Sequence, residues 1–153
     1  MNPVTRFVTR TGVLLAIALV FQFVKLPAPF GQWITGPAVN AVLILAAAYV
    51  GLSGGILIGL LTPLFAFLAG VITIPPPVAV FVIPMIMIAN MVLVLVFYFA
   101  RRINNYAGVI LAAPAKFLTF YLALHYVLVW LAVKVPEPLV VAFGITQLFT
   151  ALI

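Results

Sequence analysis

The sequence predicts an all-α polytopic membrane protein: one transmembrane domain over residues 1–153, six transmembrane helices, both termini cytoplasmic and a long first extracellular loop. Three observations predict it. First, 68% of the residues are hydrophobic and only 5% are charged, whereas a soluble domain needs roughly 25% charged residues to keep a folded surface in water. Second, the apolar runs are separated by proline, glycine and charge-bearing breaks. A helical crossing needs about 20 residues, so a chain of this length holds roughly six. Third, the few charges sit in the breaks or at the ends of the apolar segments with one exception, and the basic ones are divided unevenly between the two sides.

Taken in order, the first helix is expected over residues 9–25, ending at Leu26-Pro-Ala-Pro29. It is longer than a signal-peptide core and is followed by a poor cleavage site, so it is expected to be retained. The second runs over 36–50 from Gly36-Pro37, and the glycine-rich stretch from Gly51 to Gly55 turns it into the third, 54–72, which stops before Pro75-Pro-Pro77. The fourth covers 78–100 and ends at Arg101-Arg102. The fifth covers 106–133, and Lys134-Val-Pro-Glu-Pro138 separates it from a sixth over 139–153. With six crossings, Arg6, Arg10, Arg101 and Arg102 fall on one side, and only Lys25 and Lys134 on the other, with Glu137 beside the latter. The side richer in basic residues is the cytoplasmic one.

Composition removes most chemistry. There is no cysteine and no aspartate, Glu137 is the one acidic residue, His125 the one histidine and Ser53 the one serine. Thiol nucleophiles, structural zinc, paired carboxylates and a catalytic triad are therefore excluded, and no cofactor is expected. A net charge of +6 in so short a chain suggests nucleic acid, but the cations are dispersed between apolar blocks instead of forming a patch.

Packing is expected to depend on small residues, because lipid gives no hydrophobic drive between helices. Gly51, Gly55 and Gly59 recur every fourth residue and would line one groove; Gly12 and Ala16 form a weaker pair on the first helix. Pro63, Pro84 and Pro114 interrupt the third, fourth and fifth helices, each freeing a carbonyl that needs another partner.

The polar residues within the apolar segments say more. Lys116 lies about ten residues, or roughly 15 Å, into the fifth helix and so near the bilayer centre. A lysine there costs on the order of 3 kcal/mol on insertion scales. Its ammonium requires backbone carbonyls, a water-filled cavity, an anionic ligand or another subunit; otherwise it snorkels to the surface or is neutral. Ala112, Thr119, Ala123, Tyr126 and Trp130 share its helical face. Gln22, Gln32, Trp33, Thr35 and Asn40 accumulate around the first loop, and Asn90 lies in the middle of the fourth helix. Asn40 and Asn90 either bond each other or a freed carbonyl, or contribute to a polar and aromatic pocket that opens outward.

Ile34-Thr-Gly-Pro-Ala-Val-Asn40-Ala, then Gly51-Leu-Ser-Gly-Gly-Ile-Leu-Ile-Gly-Leu-Leu-Thr-Pro63, then Ile83-Pro-Met-Ile-Met-Ile-Ala-Asn90, resemble the substrate-binding S components of energy-coupling factor (ECF) transporters. The resemblance implies capture of a vitamin or related small molecule from outside, with energy supplied by a transmembrane T subunit and two ATPases. It implies that Gly12 and Ala16 contact the T subunit, although glycine stands where the family has the first alanine. It also implies a site that includes Asn90, His125, Tyr126 and Trp130, with Gln32 and Trp33 closing over it. Lys116 and Asn40 are added from their position in the membrane, and Lys116 favours an anionic or carboxylate-bearing ligand. The N-terminus has no histidines, which disfavours a metal substrate.

One alternative is a membrane scaffold or assembly subunit that docks through its glycine grooves and has no ligand of its own. A tryptophan-rich tetrapyrrole binder fits poorly with two tryptophans. An intramembrane enzyme ranks last for want of acids, thiols or paired histidines.

Overall fold

The computed structural model describes residues 2–23, 30–71, 76–123 and 126. Among these residues there are five α-helices and no strand: α1 (Pro3–Phe23), α2 (Phe30–Tyr49), α3 (Leu52–Leu68), α4 (Pro76–Ala100) and α5 (Asn105–Leu122). A π-helical turn follows α5 at Ala123 and Tyr126. The expected sixth helix and the remainder of the fifth lie outside the described residues. By length and composition, the helical stretches Pro3–Phe23 and Val78–Ala100 are sufficient to cross a membrane; the apolar stretches within α2 and α3 are shorter.

Two boundaries differ most from the sequence expectation, while α3 ends at Leu68 instead of residue 72. α1 begins at Pro3 instead of residue 9, and the proline at its start is placed where a missing N–H costs nothing. α2 begins at Phe30, so Gly36-Pro37 lies inside it instead of opening it. A proline forfeits one intrahelical bond and does not have to end a helix whose neighbours pack against it. Consequently Gln32, Trp33 and Thr35 belong to α2 and not to a first loop, and the connection from α1 is shorter than expected.

α4 packs against α5, α3 and α2, while α1 lies against α2 and α3. The shared core is built from Leu43, Ala46 and Ala47 of α2, Ile58 of α3, Leu93, Val94 and Phe97 of α4 and Ala112 of α5. A second cluster, Val78, Ala79, Val82 and Ile83, packs with Phe67 near the start of α4. Val8, Val20, Val80, Ile88, Ile110 and Leu118 point outward. Helices apolar on both faces are what a lipid-surrounded bundle requires.

Glycines determine how closely these helices approach. A Cβ on Gly55 would lie 2.8 Å from Val94 Cγ1 and 3.3 Å from the Ala47 backbone nitrogen. One on Gly59 would lie 3.3 Å from Asn90 Cβ and 3.6 Å from Leu43 Cδ2. Both therefore face α2 and α4 within the chain. Gly51 does not share this groove: it precedes α3, with φ 105° and ψ −178°, and nothing lies within 4 Å of an added Cβ. That backbone conformation is essentially closed to other residues, so its role is the tight α2–α3 turn. Gly108, which the sequence pattern did not mark, lets α5 approach Phe97, which would be 2.9 Å from an added Cβ.

The arginines do more than mark one end of the bundle. Arg101 Nη1 donates to Ala48 O at 3.0 Å and Arg10 Nη1 to Tyr49 O at 3.3 Å. α2 has no basic residue in its own last turn, so α1 and the end of α4 supply the cations that its orphan carbonyls and negative dipole end favour. Arg101 also lies over the Tyr98 ring at 4.8 Å, and Arg102 over Phe99 at 5.5 Å.

Gly12 and Gly51 make a matched test, since neither meets an atom within 4 Å of an added Cβ. Gly51→Ala is expected to destabilise the detergent-solubilised protein by about 1–3 kcal/mol through backbone strain. Gly12→Ala, in a helix with free space, is expected to be neutral or to stabilise by up to about 1 kcal/mol. Thermal unfolding of both variants checks the difference; equal effects would refute the turn assignment.

Candidate functional site

The site begins with a proline. Pro63 lies inside α3 and is fully buried, whereas Pro84 and Pro114 are exposed. Because Pro63 has no N–H, the carbonyl four residues earlier, Gly59 O, has no intrahelical donor. Asn90 Nδ2 of α4 donates to that oxygen at 3.1 Å. The approach is possible because residue 59 has no side chain. One residue before the proline, Thr62 Oγ1 donates back to Ile58 O at 2.6 Å, satisfying a buried hydroxyl locally.

Once its amide nitrogen is committed to Gly59 O, Asn90 presents its oxygen the other way. Lys116 Nζ of α5 donates to Asn90 Oδ1 at 2.8 Å and to Asn40 Oδ1 of α2 at 2.5 Å. Asn40, Asn90 and Lys116 are exposed by only 3%, 2% and 5%. Lys116 therefore does not snorkel to the surface. Each partner is roughly 13–17 Å along its helix from the arginine end, a mid-membrane depth. Two charge-assisted bonds at about 1.5–3 kcal/mol each are comparable with the insertion cost of about 3 kcal/mol for a central lysine.

Among the described residues the charge is solvated only by dipoles. No described residue is acidic, and the chain's one acid, Glu137, lies outside the described residues. An ammonium carries three donors and no acceptor. In its protonated form the two amide oxygens use two of them, which leaves, among the described residues, one proton and the formal charge for a third partner.

The other expected site residues divide clearly. Tyr126 is 67% exposed. Gln32 and Trp33 fall in α2, but their side chains lie outside the described residues, as do His125 and Trp130. Gly12 and Ala16 are both exposed on α1, where an approaching helix can reach them. The Gly59 carbonyl was not among the expected site groups. The signal for it was present in the sequence as Pro63, counted back four residues.

This arrangement orders the mutational costs. Asn90→Leu leaves both Gly59 O and a buried ammonium short of a partner, and is expected to destabilise by about 3–5 kcal/mol. Lys116→Met removes the charge at similar length but takes away the donor that Asn90 Oδ1 faces, and is expected to destabilise by less, about 1–3 kcal/mol. Thermal unfolding in detergent tests the order, which a reversed ranking would refute.

Comparison with known proteins supplies the wider frame. Residues 6–153 match the family model described as "ECF transporter, substrate-specific component". No match is found among curated proteins or among solved structures. The family is one of membrane-embedded, non-enzymatic transport subunits, and its model covers nearly the entire chain. This protein belongs to the substrate-specific components of ECF transporters.

Proposed function

We propose that the chain captures a small, vitamin-like molecule carrying a carboxylate or other anionic group from outside the cell. Delivery then proceeds through a T subunit and ATPases in a prokaryotic cytoplasmic membrane, with both termini inside. The observation that carries the ligand class is the Lys116 ammonium, buried on two amide oxygens with no carboxylate among the described residues. An anionic ligand supplies the missing countercharge and accepts the third proton. In a low-dielectric site such a pair discriminates strongly against neutral analogues, since these leave the charge unmatched.

In this reading Asn40 and Asn90 orient the ammonium toward the ligand. Gln32, Trp33, His125, Tyr126 and Trp130 would line the route from the outer side. Gly12 and Ala16 would meet the T subunit, and their exposure on α1 is compatible with that contact. The chain has no phosphate-binding G-x-x-x-x-G-K-[ST] sequence, so ATP hydrolysis belongs to the partners. The scaffold alternative loses its main support, since Gly55 and Gly59 are used inside the chain.

Native mass spectrometry of the detergent-solubilised protein, mixed with a panel of carboxylated and neutral micronutrients, tests the reading. An anionic ligand is expected to be retained by the wild type, and Lys116→Met is expected to weaken it at least tenfold, about the value of one charge-assisted contact. Retention of neutral ligands alone would overturn the anionic assignment. Absence of any retained ligand, together with no co-purifying ATPase module, would overturn the capture role.

A further inference from the structure

A second feature lies at the opposite end from the outer site, between the first turns of α1 and the end of α2. Pro3, Arg6, Phe7, Arg10, Tyr49 and Val50 line a cavity of about 410 Å³. A second cavity, also about 410 Å³, shares Arg10, Tyr49 and Val50 and continues over Val13, Leu14 and Leu45. Val13 and Leu14 are about one turn deeper along α1 than Arg10, and Leu45 is about one turn deeper along α2 than Tyr49. The two spaces adjoin at Arg10, Tyr49 and Val50, and together their lining passes from a cationic head to an apolar floor.

The head of this groove is strongly positive. Arg6 and Arg10 are four residues apart, on the same face of α1. The Arg6 side chain is exposed and has no hydrogen-bond partner among the described residues. Arg10 spends one of its five donors on Tyr49 O. The N-terminus of α1, with Asn2 Oδ1 accepting from Val4 N at 3.2 Å, opens at the same place and adds the positive end of a helix dipole. No acidic residue lies among the described residues to neutralise it.

We propose that this groove binds an anionic phospholipid, its phosphate between Arg6 and Arg10 and an acyl chain along Val13, Leu14 and Leu45. Guanidinium groups match phosphate oxygens in paired donor geometry. A membrane surface supplies anionic headgroups at the level of helix ends. The continuous apolar floor is what selects a lipid over a free anion, which would use the head alone. Arg6 and Arg10 lie about a third of a turn around α1 from Gly12 and Ala16, so the phosphate and a helix on the small-residue strip meet different faces.

The test uses the full chain, delipidated in detergent and mixed with equal amounts of phosphatidylglycerol and phosphatidylcholine of identical acyl chains. Native mass spectrometry is expected to show the anionic lipid retained about tenfold over the zwitterionic one, with Arg6→Gln reducing that preference about fivefold, as expected for one interfacial cation. Arg6→Lys keeps the charge and is expected to retain most of the preference. Arg6 makes no side-chain contact on which the fold depends, and an unchanged melting temperature of the lipid-free variant confirms that the change reports binding. Equal retention of the two lipids, or an Arg6→Gln preference equal to wild type, overturns the proposal. So does inorganic phosphate that raises the wild-type melting temperature as far as phosphatidylglycerol does, since the apolar floor would then contribute nothing.

Discussion

The arrangement at the centre of the bundle depends on one amide. Asn90 gives its nitrogen to the carbonyl that Pro63 leaves unpaired, and its oxygen to the Lys116 ammonium. Neither neighbour tolerates the reverse orientation, because a carbonyl cannot donate and an ammonium cannot accept. The proline in α3 therefore fixes the direction of a dipole in α4, and that dipole fixes a cation in α5. Asn40 closes the set from α2. Four helices are thereby registered by groups that would each be costly alone in hydrocarbon.

This interaction also explains why glycine is needed at particular places. The amide reaches Gly59 O only if α3 and α4 approach nearly backbone to backbone, and a side chain at residue 59 would press on Asn90 itself. Gly55, one turn away, keeps the same spacing against Val94 and Ala47. Close packing and polar pairing are thus a single requirement here: the small residues bring the helices within hydrogen-bonding distance, and the hydrogen bonds set the register that the small residues leave loose.

Much of this was legible in the sequence, and the failures have physical causes. The membrane class and the helical segments follow from composition and breaks, and Asn40, Asn90 and Lys116 stand out because polar groups are rare in apolar segments. What periodicity does not encode is which of them meet: Lys116 is 76 residues from one partner and 26 from the other. The start of α2 differs from expectation because Gly36-Pro37 reads as a break, while tertiary packing lets a helix pass through it. Gly51 was grouped with Gly55 and Gly59 by spacing alone. Its positive φ, which spacing does not reveal, assigns it to the turn.

The arginines at the end of α2 have a mechanical consequence. Arg10 and Arg101 bind consecutive carbonyls, Tyr49 O and Ala48 O, from two different helices, and the turn through Gly51 joins α2 to α3 within two residues. Three helices and the start of a fourth are therefore fastened at one rim. Any motion that parts these helix ends must first break those two bonds.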